Sequence, residues 1–129
     1  MKLLDTCFLV DLLRGDPGAV EAAVKLKGAA TTTVNVYELF FGVYNAAGDP
    51  ERRAAEAERM VERLEVLPLW EDAAKASARV MAELYKGGEP VDAIDVFTAC
   101  IGIQGGCSEM LTRNTRHFSR IPGIEPETY

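Results

Sequence analysis

The sequence predicts a three-layer α/β/α sandwich around a central parallel sheet, and two observations carry that reading. Brief unbroken apolar or β-branched runs alternate along the chain with longer segments of helical period. Runs this short, without polar alternation, suit strands covered on both faces; strands separated throughout by helices join by right-handed crossovers into a parallel sheet. The length agrees. At 129 residues the chain is expected to form a single domain over 1–129, long enough to bury roughly two thirds of its unfolded surface. It carries no internal repeat, low-complexity segment or linker.

Taken in order, Met1–Leu4 reads as the first strand, Asp5 ends it, and Phe8–Leu13 begins a helix that Arg14-Gly15 closes. Asp16-Pro17 supplies an N-cap and a first-turn proline for a helix to about Lys27, with Gly28 past its end. Ala29–Thr33 is a second strand, and Asn35 is read as capping a helix through Tyr44. Asp49-Pro50 repeats the cap and proline before ERRAAEAERMVERL, whose Ala54, Ala57, Met60, Val61 and Leu64 share one face. Glu65–Leu69 is a third strand, placed at the sheet edge by Pro68. Glu71–Tyr85 is a long amphipathic helix, and Pro90 and Asp92 open another that runs to Gln104. Ser108–Arg113 forms the fourth strand, Thr115–Phe118 a helical turn and Ile124-Glu125 a marginal fifth strand.

Composition narrows the function. No run approaches the roughly 20 apolar residues of a membrane span, and one lysine before an apolar run ending in Asp5 is a poor signal peptide. Cys7, Cys100 and Cys107 are odd in number and lack CxxC spacing, so they read as thiols in a reducing, cytoplasmic setting. A net charge of −6 argues against loose binding of nucleic acid by charge alone. An enzyme acting on nucleic acid with this balance needs cations in its site or a local basic rim.

Several acids are expected to meet at one place. Asp5 stands where a strand stops and a helix starts, the carboxyl edge at which α/β sheets keep their ligands; capping explains it equally well. Glu38 lies one turn into the helix after the second strand, inside the apolar VNVYELFFG. Asp95 lies in the first turn of PVDAIDVFTACIGI, whose N-terminus faces the same edge. Charges among such neighbours require a partner or a metal. Asp92 is explained by capping and the helix dipole. In LTRNTRHF, Thr112 and Asn114 end the fourth strand on that edge. An oxygen-rich cluster without a His/Cys set suits Mg²⁺ or Mn²⁺, and phosphodiester hydrolysis is the reaction class that such an ion serves.

LLDTCFLVDLLRG, TTVNVYELFFG, EPVDAIDVFTACIG and LTRNTRHFSRIPGI resemble the four ordered motifs of PIN-domain ribonucleases, above all the VapC-type toxins of toxin–antitoxin pairs. The resemblance spans the whole chain and implies strand order 3-2-1-4-5. It also implies Mg²⁺- or Mn²⁺-dependent endonucleolytic hydrolysis of RNA by a metal-activated water, with the ion held by Asp5, Glu38 and Asp95. Thr6 and Thr112 match the family's small hydroxyl residues. The fourth acid falls on Asn114, a weaker ligand, with Asp92 available to compensate. A VapB-like antitoxin and a homodimer are the implied protein partners. Arg14, Arg113, Arg116 and Arg120 are candidates for the RNA rim. His117, the only histidine, is expected at a helix end or on the surface rather than as a general base.

Two rival enzymes or signalling folds lack required residues. A haloacid-dehalogenase-like phosphatase needs a second Asp where Cys7 stands, and a response-regulator receiver needs an Asp where the chain has Leu69-Trp70. A PIN-like binding module that grips RNA or protein without cutting is kept open by Asn114.

Overall fold

Five parallel strands in the order β3-β2-β1-β4-β5 form one sheet in a computed structural model that describes residues 1–129. The elements follow as β1 Lys2–Leu4, α1 Thr6–Leu13, α2 Pro17–Val24, β2 Ala29–Thr32, α3 Thr33–Asn45, α4 Pro50–Val61, β3 Glu65–Leu67, α5 Glu71–Lys86, α6 Ala93–Gln104, β4 Glu109–Leu111, α7 Thr115–Phe118 and β5 Glu125–Glu127. The predicted class and strand order are those observed. The first four strands are shorter than expected, and the fifth runs to Glu127 instead of ending at Glu125; β3 ends before Pro68, which accordingly removes no ladder hydrogen bond.

The two-residue period of a strand splits the core between the two faces of the sheet. Leu3, Ala30 and Met110 point into a cluster with α5, α6 and the α7 region, including Ala73, Val96, Ala99, Ile101 and Phe118. Leu4 and Leu111 point the other way, onto Phe8, Leu9, Ala19, Leu39, Val43 and Ala57 of α1–α4. Central strands with both faces buried must be apolar throughout, and KLL and EML very nearly are.

Helix starts follow the cap chemistry, with one correction. Asp16, Asp49 and Asp92 each accept backbone N–H bonds at the heads of α2, α4 and α6. The head of α3, however, is capped by Thr32, whose Oγ1 accepts from Asn35 N–H. Asn35 lies inside the helix and is fully buried. Thr and Asn are both good caps, and in TTTVN the sheet register decides between them: β2 continues through Thr32, so the first extended residue before the helix is Thr32.

Candidate functional site

Asp5 is held on the carboxyl edge because β1 ends at Leu4 and α1 begins at Thr6. It caps α1, as the sequence allowed, its Oδ1 accepting Thr6 N–H at 2.9 Å, and its side chain is the centre of a buried polar network. Thr112 Oγ1, at the end of β4, donates to Oδ2 at 2.7 Å. The Cys7 thiol reaches the same oxygen at 3.4 Å. From α3, Asn35 Nδ2 lies 3.4 Å from Oδ1, 2.9 Å from Thr6 Oγ1 and 3.3 Å from Thr98 Oγ1 of α6. Asn35 Oδ1 accepts from Thr32 Oγ1 at 2.7 Å. No buried polar side-chain atom is left without a partner.

Two threonines work alike. Thr6 Oγ1 donates to Glu38 Oε1 at 2.6 Å while accepting from Asn35. Thr112 Oγ1 donates to Asp5 while accepting Asn114 N–H at 2.9 Å. A hydroxyl whose lone pair is satisfied by an N–H turns its proton onto the carboxylate, so each acid is fixed in orientation by a neighbour that is itself fixed. Burial lifts the Glu38 carboxyl above its ordinary range; the Thr6 bond opposes this, and the charges of Asp5 and Asp92 add to it.

Asp95, in the first turn of α6, is pushed up to about 6, chiefly by burial and further by the charges of Asp5 and Asp92. Its Oδ2 lies 3.1 Å from His117 Nδ1 on α7, and that bond pulls the other way. His117 stands exposed at a helix end, as expected, and its ring nitrogen faces Asp95. Asp92 caps α6 through Ile94 N–H, as expected, and acts on the site only through its charge. Asn114 supplies its backbone N–H to Thr112 and makes no side-chain cap for α7.

The arginines divide. Arg113 is tied down, its Nε 2.8 Å from Asp11 Oδ2 and 3.3 Å from Tyr129 OH. Arg120 pairs with Glu89. Arg14 lies at the far end of α1 and lines a groove with Val10, Leu13, Leu39, Gly42 and Val43. Arg116, on the short α7, enters none of the ion pairs. The groove, of about 370 Å³, runs between α1 and α3. Val10 lies one turn beyond Thr6 and Gly42 one turn beyond Glu38, so the groove starts about one helical turn from the acidic edge.

The donor set suits a hard divalent cation: three carboxylates, of which Asp5 by its charge disfavours ionisation of both Glu38 and Asp95, with hydroxyl and amide oxygens beside them. As the side chains lie, no three acidic, histidine or cysteine groups stand close enough to share one ion. Glu38 is turned onto the Thr6 hydroxyl and Asp95 onto His117. Closing around a cation requires Glu38 to leave the Thr6 hydroxyl for it and the Asp95–His117 hydrogen bond to open. Sequence reasoning missed Asn35, Thr98, Cys7 and His117 as neighbours of the acids. Only the unexplained polarity of Asn35 within an apolar helix could have signalled one of them.

A family model for the PIN domain matches residues 2–124. The tRNA(fMet)-specific endonuclease VapC of Salmonella typhimurium is 30% identical over 129 residues, covering 98% of this chain and 96% of that protein. Ribonuclease VapC19 of Mycobacterium tuberculosis is 28% identical over 130 residues, 98% of each chain. Among solved structures, DNA-bound VapBC from Salmonella typhimurium matches with a TM-score of 0.87 at 30% identity, over 99% of this chain and 98% of that one.

Proposed function

This chain belongs to the PIN-domain family, among its VapC-type members, and from that premise we propose that it is a divalent-metal-dependent endoribonuclease acting as the toxin of a toxin–antitoxin pair in the cytoplasm. The observation that carries the reading is the meeting of acids at one sheet edge: Asp5 and Glu38 are linked through Thr6 and Asn35 and flanked by Thr112, and Asp95 lies near enough to feel the charge of Asp5. Asp5, Glu38 and Asp95 would hold Mg²⁺ or Mn²⁺, with Asn114 as a weaker oxygen donor. A cation bound there lowers the pKa of a water and neutralises charge on the phosphodiester. The chain's own part is positional: the two threonine hydroxyls and the Asn35 amide fix the carboxylates, and Arg116 is the free cation placed to meet the RNA backbone. Arg113 serves instead to brace the end of β4 against α1 through Asp11.

The same edge supports control by a VapB-like antitoxin. Its arginine or lysine would pair with Glu38 and Asp95, and apolar side chains of the same segment would lie in the α1–α3 groove that opens beside them. Tyr37, Phe41 and Tyr44, exposed along one face of α3, support a homodimer.

The test is incubation of the purified protein with RNA, starting with tRNA(fMet), the substrate named for the Salmonella relative. With Mg²⁺ or Mn²⁺ discrete internal cuts bearing 5′-phosphates are expected, and with EDTA none. Binding without cutting under every metal condition would favour the non-cleaving module instead.

A further inference from the structure

His117 is the one imidazole in the chain, and although its side chain is exposed it is tethered to the acidic edge. Its Nδ1 lies 3.1 Å from Asp95 Oδ2, on a turn that is firmly placed. Asn114 N–H binds the same Thr112 hydroxyl that holds Asp5. His117 and Phe118 N–H both bond to Asn114 C=O, and the Phe118 ring is fully buried. The ring is thus carried to the acidic edge by backbone, one turn beyond the position at which the sequence offers a neutral amide in place of a fourth acid.

We infer that His117 is a ligand of the metal together with Asp95, and that it biases the site toward Mn²⁺ and later transition metals over Mg²⁺; the inference rests on the metal-dependent reading above. Ligand atoms about 2.1 Å from an octahedral ion lie about 3 Å apart at adjacent vertices, and Asp95 Oδ2 and His117 Nδ1 already have that separation. They need only admit the ion, not move toward each other. Ligation uses the neutral ring, with its proton on Nε2 and the Nδ1 lone pair facing the ion. An all-oxygen site suits Mg²⁺, whereas an imidazole nitrogen raises affinity along the transition series and does little for Mg²⁺.

The bland alternative is that His117 only orients Asp95 by a hydrogen bond. His117→Asn separates the two, because its amide keeps a donor near Asp95 and removes the imidazole. The full-length, untagged protein is titrated calorimetrically with Mn²⁺ alone and with Mg²⁺ alone, and the Mn²⁺ form is measured by pulsed electron paramagnetic resonance for nitrogen coupling. The wild type is expected to show coupling from a directly bound imidazole nitrogen. His117→Asn should lose that coupling and about tenfold or more in Mn²⁺ affinity, with Mg²⁺ affinity changed less than threefold. Circular dichroism checks that the variant is folded, and His117→Ala provides a second variant. Wild-type protein that binds Mn²⁺ without imidazole coupling overturns the ligand role and leaves the nuclease reading standing, as does an unchanged Mn²⁺-to-Mg²⁺ affinity ratio in both variants. Wild-type protein that binds neither ion overturns both.

Discussion

Asn35 shows how much of the site depends on a single neutral side chain. Its amide nitrogen lies against Asp5, Thr6 and Thr98, and its oxygen accepts from Thr32. Asn35→Ala leaves several buried polar groups short of a partner, so a loss on the order of 2–3 kcal/mol is expected, read as a lowered urea midpoint, together with weaker cleavage because Thr6 no longer directs Glu38. A midpoint within experimental error of wild type would show that water replaces the amide without cost. Asn35 was legible as a polar residue in an apolar run but was misplaced as a cap. Its true role depends on Asp5 and Thr98, which are brought to it only by the sheet. His117 was missed for the same reason: nothing local in TRHF indicates that the turn folds back onto α6. Asp95, by contrast, was correctly read as poorly explained by capping, and burial gives it a distinct pH signature. Its carboxyl stands at about 6, above the ordinary 3.8, so the folded state holds this proton more tightly than the unfolded one. The contribution is fully present below about pH 4 and is lost as pH rises through about 6. In EDTA, Asp95→Asn should therefore be more stable than wild type at neutral pH, by on the order of 2 kcal/mol, with the difference vanishing near pH 4. A difference that stays constant across that range would mean that Asp95 ionises without strain.

At the scale of elements, the cap-and-proline pairs at Asp16 and Asp49 and the Asp92 cap made α2, α4 and α6 readable, because a helix start is a local event. What the sequence left unspecified is how closely helices approach their neighbours. α6 lies so near the sheet that a Cβ at Gly102 would overlap the buried Leu3 side chain. Gly102→Ala should cost about 1–3 kcal/mol by overpacking despite its better helix propensity, and an unchanged melting temperature would show that Leu3 can yield. Gly42, on α3, is the opposite case. A Cβ there meets nothing, so Gly42→Ala should stabilise by about 0.5–1 kcal/mol. Gly42→Leu projects instead into the α1–α3 groove. It should leave fold and RNA cleavage intact while weakening the VapB-like partner tenfold or more in a titration. Undiminished affinity would place the partner's apolar segment elsewhere. Arg14 illustrates the same limit. In sequence it follows the first motif closely, but eight helical residues carry it to the other end of α1, away from the carboxylates and into this groove.

Across the whole molecule, the alternation of strands and helices was enough to predict the class, and the resemblance supplied the order 3-2-1-4-5 that the sheet adopts. The exposed surface was less legible, because a helical stripe of aromatics reads as core until the fold shows which face it occupies. Tyr37 and Phe41 stack on one another, with ring centroids 6.2 Å apart, and stay largely open to solvent. If this face joins two copies, Phe41→Glu should shift the protein from dimer to monomer in light scattering; a wild type that is already monomeric at high concentration would remove the face from consideration. Whether the acids at the carboxyl edge cut RNA is decided by the cleavage activity of Asp5→Asn. Asn retains the shape of Asp5 and one oxygen to accept the Thr6 N–H, while its amide nitrogen replaces Oδ2 and donates to the Thr112 hydroxyl instead of accepting from it; it removes the negative charge that attracts the ion. A metal site built on Asp5 requires a folded variant, with wild-type circular dichroism, whose Mg²⁺- or Mn²⁺-supported cleavage falls by about a hundredfold or more. Near-normal cleavage by that folded variant would contradict it.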